Sequence, residues 1–310
     1  MAARNARLAK PIACVSALVL LGCASAGQTA TPTDTPTDTP PSADYTVEVF
    51  TSPEAAGAVN STIVIAGGKA LVIDAQYTKS GAAAVADKIE GAGATLAAVF
   101  ITHAHPDHYL GAATLLERFP EARVVAVPSV VEGIAATAAG KAEAAAGQLG
   151  DEFPGTPVIP EAIDGDTLRF AGHAFPLLVG LQGDTDPVTG VVLADAGTAV
   201  LSDVVFSGVH AWTADSTHES RIAWMSELDR LEGLEGVERF VPGHQTAQAK
   251  QDSSALRYTH EYIAAFDASA QPGTASGDII AAMQRSYPDV GGAFFLQLGA
   301  KVAAGELVWE

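Results

Sequence analysis

The most constraining feature of this sequence is a hydrophobic segment that leads directly into a cluster of histidines. Residues 96–102 (Leu-Ala-Ala-Val-Phe-Ile-Thr) have the apolar content of a buried strand. His-Ala-His-Pro-Asp-His follows at 103–108. Three imidazoles and a carboxylate so close together are costly to bury unless they bind something. The cluster therefore predicts a metal site on a loop between a strand and a helix.

The spacing of these side chains fits two cations. His103 and His105 are two residues apart and can converge on one cation, while Asp107 and His108 can face a second cation beside it. Imidazole and carboxylate ligands suit Zn²⁺, and they also suit Fe and Mn. We therefore expect two divalent metal ions, with zinc as the first expectation and iron or manganese as alternatives.

Strand and helix patterns alternate on both sides of the cluster. Residues 61–74 are typical of a hairpin, residues 79–91 have helical spacing, and residues 168–202 contain four strand patterns. A helical pattern over 218–232 follows, and residues 251–310 lack strand-like alternation. Two β-rich halves with helices outside predict an α/β protein, a layered sandwich with a C-terminal helical segment packed on it.

The order of the polar residues resembles a known family. His-x-His-x-Asp-His after a hydrophobic strand is the hallmark of the metallo-β-lactamase superfamily, and the resemblance covers roughly residues 45–250. Asp74 ends the strand Leu-Val-Ile, Asp203 follows Ala-Val-Leu-Ser, and His244 ends Val-Pro-Gly-His, in the family's order. The resemblance implies a four-layer αββα sandwich, with residues 44–250 as the catalytic domain.

The resemblance also implies a role for each of these residues. It assigns His103 and His105 to the first metal and a bridging position to Asp203. It assigns Asp107 and two further histidines, His108 and His244, to the second metal. Asp74 would support the metal loop.

One position departs from the family pattern. Where the family normally places a third histidine for the first metal, this chain has Gln182, followed closely by Asp184. The alignment favours Gln182 as the ligand, although a glutamine amide is a poorer donor to zinc than imidazole. Asp184 is the rival ligand, and its carboxylate would shift the metal preference toward iron or manganese.

Such a site predicts a hydrolase that acts on a small molecule. Two neighbouring cations generate a nucleophile from water and polarise a carbonyl group, and Asp107 would orient that water and pass a proton to the leaving group. We expect an ester, lactone or amide substrate. Two alternatives are a weakened single-metal or ligand-binding protein, suggested by Gln182, and an iron-dependent oxidoreductase.

Four further residues are candidates for contact with the substrate. Tyr109 follows the cluster directly, with packing of the helix start as its alternative, and Asp184 lies two residues after Gln182. His210 and Trp212 follow Asp203 closely enough to line the mouth of a cleft, with a place in the core as the alternative for both.

The N-terminus has the pattern of an export signal. Cations precede an apolar stretch at 11–21 that is too short for an ordinary membrane span. Leu-Leu-Gly-Cys then resembles a bacterial lipobox, which implies a signal peptide at 1–22 and a lipid on Cys23; an ordinary secretory signal is the alternative. Residues 23–43, rich in Thr and Pro, predict a disordered tether. We expect a protein exported to the bacterial cell envelope, with this anchor as its only membrane contact.

Composition excludes one class of partner. The chain has 17 Lys and Arg against 36 Asp and Glu, a net charge of −19. Nucleic-acid binding depends on clustered basic residues, so we expect no nucleic-acid partner.

Overall fold

The computed structural model describes residues 44–309. The predicted signal peptide at 1–22, the tether at 23–43 and the lipid-bearing Cys23 lie outside the described residues. Within residues 44–309, no helix combines the length and the apolar character needed to cross a bilayer.

The first half of the described chain forms a six-stranded sheet in which the strands follow one another in sequence order. The strands are β1 (Thr46–Thr51), β2 (Asn60–Ala66), β3 (Lys69–Ile73), β4 (Thr95–Phe100), β5 (Arg123–Ala126) and β6 (Glu161–Ala162). The hairpin predicted over 61–74 is confirmed as β2 and β3, which pair antiparallel. Gly67 and Gly68 both adopt positive φ in its turn, a conformation that favours glycine.

The second half contributes a five-stranded sheet in the order β11-β10-β9-β8-β7. Its strands are β7 (Thr167–Phe170), β8 (His173–Leu181), β9 (Val188–Leu193), β10 (Thr198–Ser207) and β11 (Arg239–Gln245). Every residue of β10 is buried, because this strand lies inside the sheet with helices on one face and the first sheet on the other. β11 pairs parallel to β10 and packs on β1 and β2, which joins the two sheets.

Helices cover the outer face of each sheet. They are α1 (Lys79–Gly91), α2 (Pro106–Tyr109), α3 (Ala112–Arg118), α4 (Pro128–Leu149), α5 (His218–Glu232), α6 (Ser253–Ser269), α7 (Ser276–Ser286) and α8 (Ala293–Ala303). α1 packs on β2 and β4, and α4 packs on β6, whereas α5 and α6 pack on β10. The predicted α/β sandwich with C-terminal helices is therefore confirmed.

Two local features help to position the site. α2 and α3 are separate helices, because Gly111 between them lies so close to the segment after β3 that a Cβ there would be 2.0 Å from the carbonyl oxygen of Ala75. β11 continues past Val241 as far as Gln245. This extension carries His244 into the interior, where it is 1% exposed.

Candidate metal centre

The histidine cluster lies where the predicted loop places it, between the end of β4 and the start of α2. The ring of His103 is 4.8 Å from that of His105 and 4.3 Å from that of His108, measured between centroids. His103 and His108 are fully buried, and the His105 side chain is 12% exposed. The short, Pro-initiated helix α2 turns Asp107 and His108 back toward the first two histidines.

Three groups of side chains in the described residues have the geometry of a metal site. In the first, His103, His105, Asp184 and Asp203 each offer a ligand atom, and all these atoms lie within 4.8 Å of one another. In the second, Asp107, His108 and His244 do the same. The third consists of Asp74, His103 and His108, but Asp74 is bonded to Nδ1 of His108 at 2.8 Å, so the first two groups are the candidate metal sites.

Asp203 connects the two groups. Its Oδ2 lies 3.7 Å from Nε2 of His103 in the first group and 3.2 Å from Nε2 of His244 in the second. Its Oδ1 lies 3.2 Å from Nε2 of His108. A carboxylate in this position can bridge two cations, the arrangement that the family resemblance implies.

Hydrogen bonds orient the histidine rings toward a common point. His108 contacts Asp74 at 2.8 Å and His244 contacts the carbonyl oxygen of Gly57 at 2.7 Å, in both cases through Nδ1. His103 contacts the Thr102 hydroxyl at 3.0 Å, also through Nδ1. Each ring therefore presents Nε2 to the site, as metal-binding histidines do when their other nitrogen has a protein partner.

Several atoms of this cluster are buried without a hydrogen-bond partner among the described residues. They include Nε2 of His103, Nε2 of His108 and Oδ1 of Asp203. Buried polar atoms nearly always have a partner, so these three indicate a missing ligand that accepts lone pairs. A divalent cation fits that requirement, and the residues present fit the metals that the sequence predicts.

Asp74 supports the loop from behind. Its Oδ1 accepts the backbone N–H of Thr102 at 2.9 Å, and its Oδ2 lies 2.8 Å from the hydroxyl of Ser202 as well as from His108. Asp74 and Ser202 both have positive φ, 63° and 48°. Non-glycine residues in this conformation cost free energy and cluster at functional sites.

The structure places Asp184, the rival of Gln182, in the first group of potential ligands. Asp184 is 1% exposed and its Oδ2 lies 2.9 Å from Nδ1 of His105, whereas the Gln182 amide donates to the carbonyl oxygen of its neighbour Gly183 at 3.0 Å. Gly183 passes so close to β10 that a Cβ would be 2.7 Å from the carbonyl oxygen of Asp203, and this approach carries Asp184 into the first group.

The charges of the cluster shift the pKa of its members in opposite directions. Burial and the neighbouring His108 lower the pKa of His103 well below its usual range. Burial also lowers the pKa of His244, but the charge of Asp203 outweighs it and raises that pKa to about 10. Burial raises the pKa of Asp184 to about 7, against the opposing charge of His105. Imidazoles and carboxylates share protons here, and a cation that bound would displace those protons.

At the mouth of the site, the structure distinguishes between the alternatives that the sequence leaves open for these residues. His210 is 3% exposed and its Nδ1 contacts the Tyr262 hydroxyl at 3.1 Å, so it belongs to the C-terminal core and not to a cleft. Tyr109 is also fully buried. Trp212 does reach the site, with its ring centroid 6.2 Å from that of His105.

Sequence reasoning missed two residues at this mouth. Asp215 lies 3.5 Å from Nε2 of His105 and accepts a hydrogen bond from the Trp212 indole at 2.5 Å. Lys141 donates to the carbonyl oxygen of Ala104 at 2.8 Å and so holds the metal loop against α4. The isolated cation in an Ala-rich helix was the signal for Lys141, whereas Asp215 carries no motif.

Comparison with known proteins agrees with this geometry. A sequence model of the metallo-beta-lactamase superfamily matches residues 55–244, more than half of the chain. The chain therefore belongs to the metallo-β-lactamase superfamily. The expected membership of this superfamily is confirmed.

Individual relatives are more distant. Two hydroxyacylglutathione hydrolases from Synechococcus strains JA-2-3B'a(2-13) and JA-3-3Ab are 29% and 30% identical over 147 residues, 47% of this chain. The chain spans about half the length of these curated relatives, 50% of each.

Solved structures confirm the fold. The DIM-1 metallo-beta-lactamase is 16% identical with a TM-score of 0.52, over 72% of this chain and 94% of its own. The metallo-beta-lactamase from Pontibacter korlensis is 20% identical with a TM-score of 0.52, over 72% of this chain and 96% of its own.

Proposed function

We propose that the protein uses two divalent cations to hydrolyse an ester, lactone or amide bond in a small molecule. The observation that carries this proposal is the pair of ligand groups that share Asp203. When bound, such a pair of cations supplies an activated water and polarises the scissile carbonyl group.

Residues of the chain would perform the remaining steps. Asp107 is 22% exposed at the mouth of the site, with its Oδ2 3.3 Å from Nε2 of His244. Neighbouring His108 and His244 outweigh the effect of burial and lower the pKa of Asp107, so its carboxylate is ionised at neutral pH. It can orient the attacking water, take its proton and return that proton to the leaving group.

The metal at the first group is part of the proposal. With Asp184 as the third protein ligand, this group offers two imidazoles and two carboxylates. Carboxylates suit harder cations than imidazoles do, so iron and manganese compete with zinc here. The contact of Asp184 with His105 supports a filled first site and therefore a two-metal hydrolase over a single-metal or ligand-binding protein.

Metal analysis tests this assignment before any substrate is known. Purified full-length protein should contain about two metal equivalents. Asp184→Asn should lose the first equivalent, and Gln182→Ala should retain both. Retention by Asp184→Asn together with loss by Gln182→Ala would restore Gln182 as the ligand, and no bound metal after supplementation would refute the proposal. Bound iron with a visible absorption band and oxygen consumption would instead favour oxidoreductase chemistry.

Activity is tested on a panel of esters, lactones, thioesters, amides and phosphodiesters with the metal-loaded protein. We expect turnover of an acyl substrate, abolished in Asp107→Ala without unfolding. The curated relatives are named for hydroxyacylglutathione, but glutathione thioesters are cytosolic and an exported enzyme would not meet them. Turnover of phosphodiesters alone would contradict the proposed acyl chemistry.

We also propose that the protein is exported and anchored in the cell envelope through Cys23. The lipobox-like Leu-Leu-Gly-Cys and the Thr- and Pro-rich segment after it support this proposal. Mass spectrometry of the N-terminal peptide should find a diacylglyceryl Cys23, and Cys23→Ser should release the protein from the membrane fraction. A soluble mature protein that begins after residue 23 would contradict it.

A further inference from the structure

An aromatic surface borders the metal centre and comes mainly from outside the family's common core. Trp212 packs edge-on against Phe295 and Trp309, with ring centroids 5.5 and 5.3 Å away, and lies 6.4 Å from Phe294. Phe294, Phe295 and Trp309 all lie beyond residues 55–244, the part matched by the family model. We call these four residues the aromatic wall.

The aromatic wall is continuous with the ligands of both metal groups. Trp212 approaches His105 of the first group, at 6.2 Å between ring centroids. Phe295 approaches His244 of the second group, at 5.1 Å. A substrate whose scissile bond lies between the two groups therefore has this wall beside it.

The outer part of the wall is open to solvent. Phe294 is 56% exposed and Trp309 is 43% exposed. Phe294 also lines a groove of about 430 Å³ together with Glu54, Ala55, Gly292 and Ala293. This volume falls within the range of small-molecule sites, and large exposed aromatic groups beside a reactive centre mark a binding surface.

Charge around the wall disfavours an anionic ligand. Asp215 contacts Trp212, and Glu54 lines the groove, where its carboxylate accepts the Gly292 N–H at 3.2 Å. The ammonium group of Lys141, which reaches the histidine loop from α4, is already bonded to the Ala104 carbonyl oxygen. The surface offers apolar contact area and two carboxylates that repel negative charge.

We propose that the aromatic wall binds the uncharged, apolar acyl chain of the substrate, so that the enzyme prefers hydrophobic acyl esters or lactones. This inference rests on the proposed hydrolase function. In the reaction, the acyl C–O bond breaks, the oxygen of water bonds to the acyl carbon, and a proton passes to the leaving alcohol. The acyl chain would extend along Trp212 and Phe295 toward Phe294.

The test is a series of p-nitrophenyl esters from acetate to decanoate, below their micelle concentrations, with metal-loaded full-length protein. The leaving group is constant, so kcat/KM reports the acyl chain alone. Each methylene buried on the wall should raise kcat/KM by about fourfold. A carboxylate at the far end of the octanoyl chain should lower kcat/KM at least tenfold relative to the uncharged ester.

Matched variants separate the wall from general hydrophobicity. Phe294→Ala and Trp309→Ala should reduce the gain in kcat/KM per methylene. Ile222→Ala, which removes a similarly accessible side chain (45% exposed) from α5, should leave both that gain and acetate hydrolysis unchanged. An effect of Ile222→Ala as large as that of Phe294→Ala would overturn the proposal.

A binding measurement separates failure of this inference from failure of the proposed function. 1-Octanol should change tryptophan fluorescence through Trp212 and Trp309, and Phe294→Ala should weaken that binding. If octanol binds but no ester is hydrolysed, the proposed hydrolase function would be wrong, while the aromatic wall would still be an apolar binding surface. Turnover that does not depend on chain length would overturn this inference alone. A Phe294→Ala variant that binds lipid vesicles less well, but hydrolyses esters and binds octanol like the original protein, would also overturn this inference.

Discussion

Asp74 provides the sharpest test of how the metal loop is held. Asp74→Asn preserves the shape of the side chain but replaces one acceptor oxygen by a donor. The remaining oxygen can still accept the Thr102 N–H, now 2.9 Å from Oδ1. The new NH₂ group then occupies the place of Oδ2, which is 2.8 Å from Nδ1 of His108.

The consequence falls on the second metal group. The hydroxyl of Ser202 can rotate to accept from the new NH₂, but a protonated Nδ1 of His108 cannot face it. The His108 proton must move to Nε2, the atom that lies 3.2 Å from Oδ1 of Asp203. A protonated Nε2 cannot bind a metal, so the tautomer change opposes binding. Changes to such supporting residues typically cost 10- to 100-fold in metal affinity, about 1.4–2.7 kcal/mol.

Asp74→Ala should have a larger effect on stability. It leaves the buried Thr102 N–H without an acceptor, at about 1–3 kcal/mol, and removes the charged partner of His108. It also places alanine at a φ of 63°, which adds about 1 kcal/mol. We expect a total loss of about 3–5 kcal/mol in the free energy of unfolding.

Two measurements check this reasoning. Urea unfolding of chelator-treated protein gives stability without metal, and competition with a zinc-binding dye gives affinity at each site. Asp164→Asn, at an exposed position, is the matched control and should change neither quantity. Wild-type affinity at the second site in Asp74→Asn, or an unchanged urea midpoint in Asp74→Ala, would refute the proposed role of Asp74.

Two further predictions concern glycine packing and pH. Gly243→Ala would place a methyl group 1.7 Å from Oδ1 of Asp203, and we expect elemental analysis to find loss of bound metal. The control Gly140→Ala, at an open helix position, should retain metal and raise the free energy of unfolding by about 0.5–1 kcal/mol. Burial lowers the pKa of His210 to about 4, against about 6.5 in the unfolded chain. The unfolded state then binds more protons between these values, so His210 should remove about 2 kcal/mol of stability as pH falls from 7 to 5. His210→Gln, which can still contact Tyr262, should lessen that loss in urea titrations. Equal pH dependence of the free energy of unfolding in His210→Gln and the original protein would contradict this prediction, and full metal retention by Gly243→Ala would contradict the first.

The sequence by itself determined the fold and the centre of the site. Strand and helix periods are local properties, so the alternation around 96–102 and the helical pattern after 251 identified the α/β sandwich and its C-terminal helices. The histidine cluster is also local, because its ligands lie on one short loop. Its chemistry could be predicted without knowing what packs against it.

The tertiary structure alone decided that Asp184 joins the first group of potential ligands, and it alone decided which side chains surround the site. Asp184 enters the first group because Gly183 passes close to β10, a contact between distant parts of the chain that residue spacing does not encode. His210 turns into the core for the same kind of reason, since Tyr262 of α6 is its partner. The aromatic wall brings together Trp212 and Phe295, which lie far apart in sequence and become neighbours only when α8 packs beside the site. Packing between distant segments therefore governs which side chains surround the metal loop, while the loop itself can be identified from its own residues.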